Sequence, residues 1–154
     1  MFVRHNSHKM DNNNTKWVLG HKVKPYESTV DYDLAIGETP PKVQGPPPHI
    51  HRKLKEVFLV IEGEMDFIIN GTVRAIRAGQ SVDIPTETLH TFANNSETPC
   101  KWVNIHSPKG FRSFFEAVGI SADIANASQK SLSPQIINEV MQTAENYDML
   151  IKID

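Results

Sequence analysis

From about Trp17 to residue 107 the chain alternates apolar and polar residues in short runs broken by Gly, Pro and Asn, the pattern of antiparallel strands with one buried face. The runs are 28–37 (STVDYDLAIG), 56–63 (EVFLVIEG), 64–70 (EMDFIIN), 72–79 (TVRAIRAG), 81–85 (SVDIP), 90–95 (HTFANN) and 99–106 (PCKWVNIH). Asn70-Gly71 lies between two of them and predicts a tight hairpin, because both central residues of a type I′ turn need positive φ. Glu62-Gly63 predicts another reversal one strand earlier. Many short strands at this spacing predict an all-β sandwich or barrel.

After Pro108 the period changes. Residues 109–119 (KGFRSFFEAVG) bring Phe111, Phe114, Phe115 and Val118 to one side of a helix that Gly119 ends. Residues 133–147 open with Ser133 as N-cap and Pro134 at the first helical position. They set Ile136, Ile137, Val140, Met141, Ala144 and Tyr147 on one stripe, which suits core packing or a dimer contact. Residues 149–153 (MLIKI) could add a last strand. The polar, asparagine-rich residues 1–15 read as a loosely held tail in which His5 and His8 are solvated. The expected organisation is therefore a tail over 1–15, a β-barrel over 16–108 and a helical extension over 109–154 that packs on the barrel or on a dimer partner.

Composition narrows the classes. A chain of 154 residues suits one domain with a real core. Sixteen basic against eighteen acidic residues give a formal charge of −2 with no basic block, so no nucleic-acid partner is expected. The N-terminus does not read as a DNA-binding segment either, which argues against a transcription regulator. Cys100 has no second cysteine to pair with, the N-terminus lacks the pattern of a signal peptide, and no run approaches the ~18 apolar residues of a membrane helix. A cytoplasmic protein without a membrane partner is expected.

The candidate chemistry lies in GPPPHIHRKLKEVFLVIEG, residues 45–63. His49 and His51 share one face of an extended chain, because strand side chains alternate with period two. Glu56 has the wrong parity to join them on an unbroken strand, so a bend is expected, and Arg52, Lys53 and Lys55 suit one. In residues 79–94 (GQSVDIPTETLHTFAN) a glycine turn, a short strand and a proline precede His90. Three imidazoles and one carboxylate suit a divalent transition metal (Fe, Mn, Ni, Cu, Co or Zn) better than Ca or Mg, which prefer all-oxygen shells. Four protein ligands leave one or two positions open on a five- or six-coordinate ion. The alternative is a closed ion used for stability alone, although such sites usually contain thiolates.

These two stretches resemble the motifs of the cupin superfamily. His49, His51, Glu56 and Gly63 match the first motif, and Gly79, Pro85, His90 and Asn94 match the second. Two positions depart: the glycine ahead of the first histidine is displaced to Gly45, followed by Pro46, Pro47 and Pro48, and Glu87 stands where the second motif has an inner glycine. Looser similarity to small single-domain cupins of the quercetin-dioxygenase-like group runs from about Trp17 to Gly119. The resemblance implies a double-stranded β-helix, or jelly roll, with His49, His51, Glu56 and His90 as metal ligands inside one end of the barrel, and commonly a homodimer.

Strand parity gives the expected pocket. Phe58 and Val60 share the face of Glu56, and Phe92 and Asn94 share that of His90. Met65, Phe67 and Ile69 form an apolar face, with Val73, Ala75 and Arg77 opposite them in the partner strand. Trp102, Asn104 and His106 share a face of the last strand, where His106 is either a donor or acid/base beside the ligands or a surface or merely hydrogen-bonded histidine. The pocket residues so named are Phe58, Met65, Phe67, Phe92, Trp102 and His106, an apolar set that fits a small organic ligand or substrate. Three functions suit these residues: an oxygenase on an aromatic or enolisable substrate with Glu56 as base, an isomerase or lyase using the metal as a Lewis acid, and a non-catalytic binding module.

Overall fold

A computed structural model describes residues 14–153. The tail expected over 1–15, with His5 and His8, thus lies almost wholly outside the described residues, as does Asp154. In chain order the strands are β1 (Lys16–Val18), β2 (His21–Tyr26), β3 (Asp33–Thr39), β4 (His49–Ile50), β5 (Lys55–Glu62), β6 (Glu64–Ile69), β7 (Thr72–Arg77), β8 (Ser81–Ile84), β9 (His90–Ala93), β10 (Cys100–Ser107), β11 (Ile120–Ser121) and β12 (Leu150–Ile151). The helices are α1 (Arg112–Val118), α2 (Ala127–Lys130) and α3 (Pro134–Thr143), the last running into a 3-10 turn at Ala144–Tyr147.

The strands form two antiparallel sheets, in the orders β11-β1-β2-β3-β10-β5-β8 and β12-β4-β9-β6-β7. This is the jelly roll with C-terminal helices that the sequence implied. Alternation in the sequence becomes alternation of burial: every other residue of β10, from Cys100 to His106, is buried. Between the sheets Phe58, Phe67, Phe92 and Trp102 pack with ring centroids 5.0–6.4 Å apart. Gly37 makes room for the Trp102 indole, since a Cβ there would stand 2.2 Å from the ring.

The Asn70-Gly71 hairpin forms as expected, with φ of 48° and 79°. Its register overturns one expectation. A two-residue turn pairs Ile69 with Thr72, so the residues sharing the face of Met65 and Phe67 are Ile76 and Arg74, and Val73 and Ala75 point outward. Val73 is accordingly 62% exposed and Arg77 also faces solvent, as β7 is the outer strand of its sheet. The run at 28–37 becomes strand only from Asp33, and β1, β2, β11 and α2 extend the pattern read from the sequence.

In α3 the Ser133 hydroxyl caps Ile136 N–H and Pro134 opens the helix. The stripe divides: Val140 and Ala144 enter the core, whereas Ile137 and Met141 remain exposed. β12 forms as the sequence allowed, pairing with β4 so that Ile151 lies opposite His49.

Candidate metal centre

The bend between His51 and Glu56 resolves the parity problem. It carries the chain from β4 in one sheet to β5 in the other, so the two motif halves face each other across the barrel. Register completes the arrangement: His49 pairs with His90 within one sheet, and Glu56 pairs with His106 within the other. One potential ligand atom from each of His49, His51, Glu56 and His90 lies within 4.8 Å of the others, and all four residues are buried.

The backbone fixes which ring nitrogens face the centre. Nδ1 of His49, His51 and His90 lies 2.8, 2.7 and 2.8 Å from the carbonyl oxygens of Pro47, Asp148 and Thr88. A carbonyl only accepts, so each Nδ1 carries its hydrogen and Nε2 is left as the nitrogen available to a metal, the arrangement that orients metal-bound imidazoles. Nε2 of His51 is buried without a hydrogen-bond partner, 3.4 Å from Glu56 Oε2. Nε2 of His90 lies 2.9 Å from that same oxygen. A carboxylate oxygen surrounded by imidazole Nε2 atoms, one of them orphaned, is a donor set that a divalent transition metal fits.

The other carboxylate oxygen is held from outside the motifs. Asn104 Nδ2 donates to Glu56 Oε1 at 2.9 Å, and His106 Nε2 stands 3.1 Å from it. His106 is 1% exposed and stacks on Phe111 with centroids 4.2 Å apart. Of the two readings of His106, the structure places it beside Glu56. Asn94 instead clamps three backbone carbonyls, those of Thr39, Pro40 and Thr98.

Both motif departures are accommodated. Glu87 takes the left-handed conformation at φ 61° in place of glycine, and its N–H donates to His51 carbonyl at 2.8 Å. Gly45 donates to Phe92 carbonyl at 2.8 Å, and a Cβ there would stand 2.3 Å from that oxygen.

A cavity of about 60 Å³ adjoins the centre, lined by His49, Glu56 and His90 on one side and by aromatic rings on the other. It exceeds the ~10–15 Å³ that one water requires and falls well below the ~300 Å³ of pockets for drug-sized ligands. Of the expected pocket residues, Phe58, Phe92, Trp102 and His106 line it. Met65 and Phe67 do not; both are buried in the core, and Phe67 sits behind Phe58 and Phe92 at 5.0 and 5.8 Å. Parity identified their inward face but not their depth along the barrel. Phe111, Phe114 and Phe115 of the helical segment also line the cavity, as does His21 of β2. The aromatic run after the last strand was visible in the sequence, but nothing local tied it to the metal motifs.

Burial and mutual repulsion set the protonation of the cluster. Burial, then the neighbouring His90 and His51, lower the His49 pKa to about 3, so this ring is neutral and free to coordinate. Burial works against protonation of His51 too, but the Glu56 carboxylate and the Asp148 carbonyl outweigh it and raise its pKa above the usual 6.5. Burial opposes ionisation of Glu56, yet His106, His51 and His90 hold it well below the ordinary carboxylate range. In metal-free protein the raised His51 pKa stabilises the fold fully below about pH 6.5, and this contribution fades as pH rises through the higher folded value. The depressed Glu56 contributes stability above its unfolded value near 4.5, lost as pH falls through the folded one. A metal must displace the His51 proton. Competition titrations with a chelator of known pH dependence should show metal affinity rising with pH, by roughly one proton per ion, until the folded His51 pKa is passed.

Comparison with known families agrees with this geometry, as residues 35–106 match the Cupin_2 family, described as a cupin domain. The match takes in just under half of the chain, from β3 to β10. An RmlC-like cupin from Shewanella frigidimarina NCIMB 400 superposes on it with a TM-score of 0.57 at 20% identity, over 70% of this chain and 93% of the other. The structure of KdgF from Halomonas sp. gives a TM-score of 0.54 at 21% identity, over 58% of this chain and 80% of that one. Both likenesses concern the fold. The HTH-type transcriptional regulator PuuR of Escherichia coli (strain K12) is 39% identical over 57 residues, which are 37% of this chain and 31% of the regulator. The chain thus spans less than a third of the length of that curated relative. Among the described residues no helix is long and apolar enough to cross a membrane.

Proposed function

We propose that this cupin is a metal-dependent dioxygenase, related to the quercetin-dioxygenase-like group, that acts on a small enolisable or aromatic substrate. The observation that carries the reading is the convergence of three Nε2 atoms and Glu56 Oε2 beside an apolar cavity. His49, His51, Glu56 and His90 would hold the ion. When bound, iron, manganese, nickel or copper would supply the redox chemistry that dioxygen requires, and both oxygen atoms would enter the product without an external reductant.

The chain's own residues define the rest. Glu56 is kept ionised and is therefore a weak base, able to take a proton only from a hydroxyl whose acidity is raised, as that of an enol or phenol would be on a metal. Asn104 and His106 at Oε1 steady the carboxylate during that transfer. Phe58, Phe92 and Trp102 exclude water and favour an apolar substrate body, and the small cavity favours a compact one. We further propose a cytoplasmic homodimer, supported by the exposed apolar Leu132, Ile137 and Met141.

The 39% identity with part of a transcription regulator favours a second reading, a ligand-binding module without turnover. Oxygen uptake separates the two. Protein loaded in turn with Fe, Mn, Ni and Cu should consume oxygen with one of a panel of small enediols, 1,3-dicarbonyls and catechols. Retention of such a compound without uptake or product would establish the binding module, and anaerobic conversion would establish Lewis-acid chemistry.

A further inference from the structure

The metal motifs end well before Asp148, yet this residue touches the centre twice. Its carbonyl takes the His51 Nδ1 hydrogen at 2.7 Å. Its carboxylate accepts three consecutive backbone N–H groups of the bend between His51 and Glu56: Oδ1 from Arg52 at 3.0 Å, and Oδ2 from Lys53 at 2.8 Å and Leu54 at 2.9 Å. This is the bend that carries the chain between sheets and brings Glu56 round to the histidines. The same residue therefore holds one ligand directly and the connection to another.

The C-terminal segment is itself anchored. Asp148 ends the 3-10 turn in the left-handed conformation at φ 60°, its N–H donating to Glu145 carbonyl at 3.1 Å. β12 then pairs with ligand-bearing β4, and Lys152 N–H donates to Pro48 carbonyl at 2.8 Å. These contacts fix Asp148 along one side of β4, from Pro48 before the strand to the Arg52–Leu54 bend after it. We infer that Asp148 is a positioning residue that sets the His51 ring and the Arg52–Leu54 bend in coordinating geometry. The inference deepens the metal-centre reading and rests on it. Its consequence is that residues beyond the cupin motifs take part in building the site, so the barrel sequence alone does not specify the centre.

Cobalt(II) is a suitable probe, because its d–d absorption reports ligand geometry independently of turnover. Asp148→Gly removes the carboxylate while suiting the positive φ, and Asp148→Asn keeps one acceptor oxygen and also tolerates that φ. Val140→Ala, in the core of α3 and apart from the ligands, serves as a control for general destabilisation. Asp148→Gly is expected to weaken cobalt binding by roughly 10–100-fold and to alter the spectrum, as loss of an orienting partner does. Asp148→Asn should lie between it and the unaltered chain. Val140→Ala should lower the unfolding temperature and leave affinity and spectrum unchanged. Unaltered affinity and spectrum in Asp148→Gly would overturn the inference. Nitrogen NMR of metal-free protein gives a second readout: the backbone carbonyl that accepts the His51 Nδ1–H is retained in Asp148→Gly, so this hydrogen should lose protection from exchange there because the bend that the carboxylate holds no longer keeps carbonyl and ring together. Failure of the unaltered chain to bind cobalt would overturn the metal-centre reading, and unchanged protection of the His51 Nδ1–H in Asp148→Gly would overturn the carboxylate's part in setting the ring.

Discussion

Replacing His49 and His51 together by alanine is expected to take the protein from about one equivalent of transition metal per chain to near zero, measured by elemental analysis of tag-free protein. The two residues supply half of the four-ligand set, and what remains is Glu56 and His90. The loss should not follow from unfolding. Both rings lie at one end of the barrel, outside the cluster of Phe58, Phe67, Phe92 and Trp102, and His51 meets the opposite sheet through the Glu56 carboxylate at 3.4 Å. Removing them costs the fold on the order of 1–3 kcal/mol, which circular dichroism and a thermal melt would register as a lowered but cooperative transition. Glu56→Gln provides a sharper test, because the amide keeps the carboxylate's shape and drops its charge. The residual site would be neutral, and affinity for a divalent ion should fall strongly while the barrel persists. Retention of a full equivalent by the double variant would mean that the ion sits elsewhere and that the buried cluster has another purpose.

The four candidate ligands were legible in the sequence because the signals that mark them are local. His-x-His needs only strand parity, the Asn70-Gly71 turn needs only positive φ, and the Arg52–Lys53 bend sits where the parity of Glu56 demanded it. What escaped was what depends on long-range register. Asn104 and His106 meet Glu56 because β10 pairs with β5, a relation that no spacing in the chain encodes. Asp148 reaches His51 across nearly a hundred positions of sequence, through a two-residue strand whose apolar run is too short to specify its partner. The misassigned face of β7 is instructive in the opposite sense. The turn was read correctly, and counting the register through it would have put Arg74 and Ile76, not Val73 and Ala75, opposite Phe67 and Met65. The motif departures show how loosely some consensus positions bind the backbone: Glu87 adopts the conformation reserved for glycine because its N–H is held by the His51 carbonyl.

Phe67→Ala should be the most damaging single truncation in the barrel, and comparison with Val73→Ala makes it a test of register as well as of packing. Phe67 is fully buried and packs against Phe58 and Phe92 from the side away from the cavity. Its removal forfeits the transfer free energy of the ring and leaves a hole that the surrounding β-strands cannot close, together about 3–5 kcal/mol. For a chain of this size that corresponds to a fall of roughly 10 °C or more in unfolding temperature. Val73, on the outward face of the adjacent strand, should change stability by less than about 0.5 kcal/mol when truncated. The comparison belongs in metal-free protein, because bound ion would add its own linkage to the melt. A large loss for Val73→Ala would mean that the Ile69–Thr72 pairing is wrong and that β7 turns its other face inward. The expected result has a functional corollary. Phe67 touches no ligand but backs the two rings that line the cavity, so Phe67→Ala should retain metal while loosening the wall against which a substrate must be held. In chemical terms, that variant should bind cobalt with nearly the parent's affinity and take up compounds larger than the parent accepts.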